Sequence, residues 1–259
     1  MAPQRLTPSF REKVWGSTEL EPWFPNSDRK IGEVWFEGVD RLPVLIKFIF
    51  TSEKLSVQVH PDDEHARRHH ASAGKTEMWH ILAAKPGARI AAGFPAPLTA
   101  GQLRDAAVSG EIEDLLEWFE AKPGDTFFIP AGTVHAIGGG LVLCEIQQNS
   151  DVTYRLYDYG RPRELHLDQA IAVSARTRHA ALQPRAGEVL VTSKYFTTSK
   201  LVIESPIQHL PHAGELLIAI QGAGNVAGQP AKAGETWYIP AGTGPFEIAG
   251  KMTLLSVLS

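Results

Sequence analysis

The chain has 259 residues, enough for one large domain or two small ones, with 43% hydrophobic and 21% charged residues, as in soluble globular proteins. A net charge of −4 and scattered basic residues argue against a nucleic-acid or polyanion surface. The single Cys144 excludes an internal disulfide, no apolar stretch nears the ~20 residues of a membrane span, and the N-terminus lacks a signal peptide's apolar core, so a cytoplasmic protein with no membrane partner is expected.

In chain order, strand-like runs dominate: "IGEVWFEG" (31–38), "LPVLIKFIF" (42–50), "LSVQVH" (55–60), "TEMWHIL" (76–82), "DTFFIPAG" (125–132), "LVLCEIQQ" (141–148) and "VTYRLYDY" (152–159). Several alternate with period two and end at Gly, Pro or Asp, the pattern of antiparallel sheet. Cys144, inside one apolar run, reads as a small buried hydrophobe. Helices are expected over 61–73, over 98–121 as an insertion broken near Gly110, and from about Asp168 within 165–175. "RTRHAALQPRAG" (176–187) reads as a linker, followed by strand-like segments at 188–204, 214–228, 235–242 and 251–259.

Two stretches repeat: "GDTFFIPAGTVHAI" (124–137) and "GETWYIPAGTGPFEI" (234–248), offset by 110 residues. Ile-Pro-Ala-Gly-Thr makes a tight turn, with Pro fixing φ and Gly supplying a conformation closed to other residues. Each copy belongs to a strand-rich half, so the chain is mainly β, with two small antiparallel barrels at 1–175 and 176–259 and a helical insertion at about 98–121. The first copy places His135 where the second has Pro245.

Gln58 and His60, two apart on one strand, face the same way, and Glu77 lies on another strand. With His135 they supply two imidazoles, one carboxylate and one amide oxygen, a mixture that suits Zn²⁺ with an open position for catalysis. Alone, each has a plainer reading: a hydrogen-bonded histidine, an ordinary sheet residue, a salt-bridge partner. His65 and His69 also have a metal-compatible i, i+4 spacing, but Arg67, Arg68 and His70 crowd them, and a solvated basic helix is the better reading. His80 points away from Glu77 and reads as structural. His166, His179, His209 and His212 carry no visible partners. The second half shows no counterparts for Gln58, His60 or Glu77, so Pro245→His is expected to create no second site.

A strand-borne His, a later strand-borne Glu and "PAGTVH" together resemble the cupin superfamily. "QNSDVTYRLYDYGR" (148–161), with "VQVHPDD", "GKTEMW" and "VWGS" near Trp15, narrows the resemblance to the type I mannose-6-phosphate isomerases, notably the short bacterial form, from about Trp15 to Ala172. The resemblance implies two cupin-type (jelly-roll) barrels, the second degenerate, and a zinc-dependent aldose–ketose isomerase acting on a small sugar phosphate. It implies Gln58, His60, Glu77 and His135 as ligands of one Zn²⁺ per chain, with Arg155, Lys75 and Glu145 as active-site residues. Arg155 suits an enediolate or a phosphate through its fork of donors, and Lys75 adds charge for the phosphate. Glu145 is read as part of the polar network around His135 and Arg155; the proton-transfer base is unassigned, and so is the oligomeric state. A metal-dependent cupin oxygenase and a non-catalytic sugar-phosphate-binding cupin are the alternatives.

Overall fold

The structure is a computed structural model that describes residues 1–40, 42–177 and 188–259. Most of the expected linker, with His179, lies outside the described residues. Nineteen strands and four helices are found among them, so the chain is mainly β. Its residues form two compact units, Met1–Phe50 with Arg185–Ser259, and Thr51–Pro184.

In the first unit, a sheet runs in the order Gln4–Arg5, Thr236–Ile239, Glu215–Val226, Phe246–Leu258, Thr197–Ile203, Val189–Thr192. Ile207–His209 pairs with the long last strand and Gln229–Lys232 with the 215–226 strand. One face packs a core of Leu217, Trp237, Ile239, Phe246, Ile248 and Leu254. Thr7–Ser17, Ile31–Glu37 and Val44–Phe50 form a separate antiparallel run, with Phe24 edge-on to Phe10, Phe48 and Phe50.

The second unit holds the helices. α1 (Asp63–His70) starts at Asp62, whose side chain accepts from His65 N. Acids in its first turn and basic residues in its last complement the helix dipole. α2 (Ala100–Ser109) opens with a Thr99–Gln102 capping box and stops at Gly110, whose φ of 90° is left-handed. After α3 (Ile112–Leu115) the expected helix gives way to a strand, Trp118–Glu120, paired with Arg89–Ala92. α4 is Leu167–Val173.

A five-stranded sheet follows the order Tyr154–Tyr157, Val57–Val59, His135–Ile137, Arg89–Ala92, Trp118–Glu120. Val57, Val59, Val134, Ala136, Tyr154 and Leu156 share one apolar core with α2, α3 and α4. Because strand side chains alternate, Gln58, His135 and Arg155 are turned to the opposite face. That face looks toward a second run, Leu141–Gln148, Glu77–Ala84 and Thr126–Ile129. Among the described residues the pairings leave these sheets open, so the expected barrels are built from open sheets without closed hydrogen bonding.

Both copies of the repeated turn form. Thr133 N donates to Pro130 O at 3.1 Å and Thr243 N to Pro240 O at 3.3 Å. Gly132 (φ 86°) and Gly242 (φ 77°) take the left-handed conformation the turn requires. In the first copy the turn also holds other strands: Gly132 N donates to His60 O at 2.8 Å and Ala131 N to Thr76 Oγ1 at 3.2 Å.

Candidate metal centre

The sheet registers explain why residues far apart in sequence meet. Gln58 lies opposite His135 on one side and opposite Arg155 on the other, so the three form a row across the inner face. His60, two residues beyond Gln58, continues on that face. On the facing run, Glu77 lies opposite Gln147 and Trp79 opposite Glu145. The ligand-type atoms of His60, Glu77 and His135 come within 4.8 Å of one another, and all three residues are buried.

The hydrogen bonds fix what these atoms can do. His135 Nδ1 lies 2.9 Å from Thr133 O, and His60 Nδ1 lies 3.0 Å from Val152 O. A carbonyl oxygen only accepts, so each Nδ1 carries the proton and each Nε2 presents a lone pair. His135 Nε2 has no hydrogen-bond partner among the described residues and lies 3.4 Å from Glu77 Oε1; His60 Nε2 lies 3.5 Å from Glu77 Oε2. Burial pushes the His135 pKa down to about 4, with the Lys75 charge adding to the shift, so the ring stays neutral. Two imidazole lone pairs and a carboxylate converging in a buried space fit a divalent cation. The N and O donor set suits a borderline ion such as zinc.

Lys75 is set deeper than a solvated loop residue. Its Nζ lies 3.0 Å from Glu77 Oε2 and 3.1 Å from His60 Nε2. Burial opposes its charge, but Glu77 and Glu145 outweigh burial and raise its pKa above the ordinary lysine value. Glu145 is buried and accepts from Trp79 Nε1 at 3.1 Å, and the Trp79 ring stands edge-on to His135 at 5.4 Å. Arg155 is half-buried; its Nη1 donates to Glu164 O at 2.7 Å, and its Nε has no hydrogen-bond partner among the described residues. Burial and Arg163 lower its pKa. Asp158 is gripped by Arg163 at 2.6 Å through two donors.

Other expectations resolve in the same way. His65 and His69 stack at 4.3 Å on α1 and do not belong to the buried group. His80 is buried with its Nδ1 2.8 Å from Thr126 Oγ1, a structural role. Cys144 is fully buried, and burial pushes its thiol pKa up. The segment bearing Lys75 and Glu77 is clamped by Asp63 and Gln148, the last residue of "VQVHPDD" and the first of "QNSDVTYRLYDYGR". Asp63 Oδ1 accepts from Gly74 N and from Gln148 Nε2, both at 2.9 Å, and Gln148 Oε1 accepts from Thr76 N at 2.9 Å.

No family profile matches the chain. The mannose-6-phosphate isomerase ManA of Bacillus subtilis is 34% identical, covering 96% of this chain and 96% of its own length. The mannose-6-phosphate isomerase of Streptococcus mutans is 38% identical over 69% of this chain and 60% of its own length. A crystal structure of the mannose 6-phosphate isomerase from Bacillus subtilis matches with a TM-score of 0.89 and 30% identity, covering 100% of both chains.

Proposed function

This chain belongs to the mannose-6-phosphate isomerase family, and on that premise we propose that it interconverts mannose 6-phosphate and fructose 6-phosphate at the group formed by His60, Glu77 and His135. In this reading Gln58 is a fourth ligand and one zinc ion is held per chain. The observation that carries it is the pair of backbone-locked imidazoles whose lone pairs face one buried carboxylate. Bound zinc supplies positive charge to the oxygens on C1 and C2, where negative charge builds as the proton moves between those carbons through a cis-enediol.

The chain's own residues do the rest. His60 and His135 are held in one tautomer by Val152 and Thr133, so neither reorganises during turnover. Arg155, in the same row, offers a buried donor to the enediol oxygens, the Nε that no group among the described residues uses. Lys75, expected from the sequence to serve the phosphate, sits among the ligand atoms, and we assign its fixed charge to the reacting end of the sugar. Glu145 holds Trp79 against His135 and adds negative charge that keeps Lys75 cationic. Arg155 and Lys75 have no task in a cupin oxygenase, which the family membership also disfavours.

The test is direct. Metal-replete protein incubated anaerobically with fructose 6-phosphate should form mannose 6-phosphate to equilibrium, followed by NMR of the anomeric protons. Binding of the sugar phosphate without turnover would make the chain a binding module. Turnover of an unrelated substrate only with O₂ would make it an oxygenase.

A further inference from the structure

The second copy of the repeat is less empty than its sequence indicates. Glu77 lies opposite Ile129, the residue before the Pro of the first turn. Glu215 lies opposite Ile239, the residue before the Pro of the second. Met78, Trp79 and His80 pair with Phe128, Phe127 and Thr126, while Leu216, Leu217 and Ile218 pair with Tyr238, Trp237 and Thr236. Glu215 therefore holds in the second copy the place that Glu77 holds in the first.

The strand after the turn corrects a second expectation. The first copy resumes pairing at His135 and the second at Phe246, because Gly244 and Pro245 together replace the single Val134. Phe246, and not Pro245, is thus the counterpart of His135. Phe246 lies opposite His209, as His135 lies opposite Gln58, so His209 holds the place of Gln58. Leu217 faces Ser256 as Trp79 faces Glu145.

These counterparts touch. His209 Nε2 lies 3.0 Å and 3.1 Å from the two oxygens of Glu215, and the His209 ring lies 5.2 Å from Phe246. Glu215 is 1% exposed and also accepts from Ser256 Oγ at 2.6 Å and His212 N at 3.2 Å. Burial raises its pKa, but these bonds outweigh burial and leave it lowered, so the carboxylate is charged inside the unit. Burying a carboxylate is costly unless the charge is paired and hydrogen-bonded. An apolar residue would be the simpler occupant of a purely structural position.

We infer that the second half contains a reduced metal centre, with Glu215 in the place of Glu77, His209 in that of Gln58, Phe246 in that of His135, and Pro211, two residues beyond His209, where the first copy has His60. His209 Nε2 now sits against the carboxylate oxygens that would otherwise face a divalent ion. The inference rests on the proposed reading of Gln58, Glu77 and His135 as ligands of the first metal centre, since that reading makes the counterpart positions ligand positions.

The experiment counts metal. Full-length wild type, Phe246→His, Pro245→His and the double variant Phe246→His with Glu215→Gln are loaded with Co²⁺, dialysed and analysed for metal per chain. The inference requires one ion in wild type, two in Phe246→His, and one in each of the other two. One ion in a folded Phe246→His, or two in Pro245→His, overturns it and leaves the first centre intact. No ion in any of the four proteins overturns both readings together. If Phe246→His does not unfold cooperatively, Phe246→Cys carries the test, because the smaller side chain does not overpack the site. A thiolate-to-Co²⁺ charge-transfer band that Glu215→Gln abolishes supports the inference; no such band from the folded variant overturns it.

Discussion

His135→Ala should leave almost no divalent metal on the first half and lower kcat/KM about 10³-fold, the scale of losing a site's charge-stabilising group. The imidazole is fully buried, locked by Thr133 O, and aimed at Glu77 Oε1 from 3.4 Å, so the deletion removes one of three converging ligands and nothing nearby replaces it. His65→Ala and His69→Ala should retain both metal and turnover, since those rings stack on α1 outside the group. Metal analysis and steady-state kinetics on the three variants decide the matter. Equal loss of metal in the helix variants would move the site to α1.

The second large effect separates charge from geometry. Arg155→Lys keeps a positive charge but loses the planar fork, including the buried Nε that has no hydrogen-bond partner among the described residues. If that donor serves oxygens that gain charge only in the transition state, kcat should fall about 10²-fold while KM changes by roughly threefold or less. Metal content should be normal. Lys75→Met should also act on kcat, because Nζ sits 3.0 Å from Glu77 Oε2 among the ligand atoms. It should not reduce metal content, since removing a cation beside a ligand carboxylate does not weaken the attraction for another cation. A Lys75→Met enzyme with normal kcat and a raised KM would return Lys75 to the phosphate. An Arg155→Lys enzyme altered in KM alone would place the phosphate at Arg155.

The ligand group was legible because period-two alternation and the Pro-Ala-Gly-Thr turn have strong local signatures. Gln58, His135 and Arg155 fall in one row, as strand periodicity implies once the pairing is known. The tautomer locks were not legible. Thr133 O and Val152 O are backbone atoms, and any residue would supply them. The depth of Lys75 was hidden for a related reason: the hydrogen bonds that draw its segment inward come from Asp63 and Gln148, distant in sequence.

Elsewhere the local pattern itself misled. Trp118–Glu120 continues a helical-looking run but pairs with Arg89–Ala92, where tertiary contacts override periodicity. Thr7–Ser17 is exposed along most of its length and shows no alternation, so it gives little strand signal. Glu215 was missed because its equivalence to Glu77 rests on strand register, which is not visible in a single sequence. One extra residue after Thr243 then shifted the comparison onto Pro245 in place of Phe246.

One metal ion, held by His60, Glu77 and His135, should be required for isomerisation. The most direct measurement is a zinc titration of chelator-treated wild type, following conversion of fructose 6-phosphate to mannose 6-phosphate at each addition. Activity should start near zero, rise linearly and break at one zinc per chain. Full isomerase activity in protein shown to carry no metal would contradict the account.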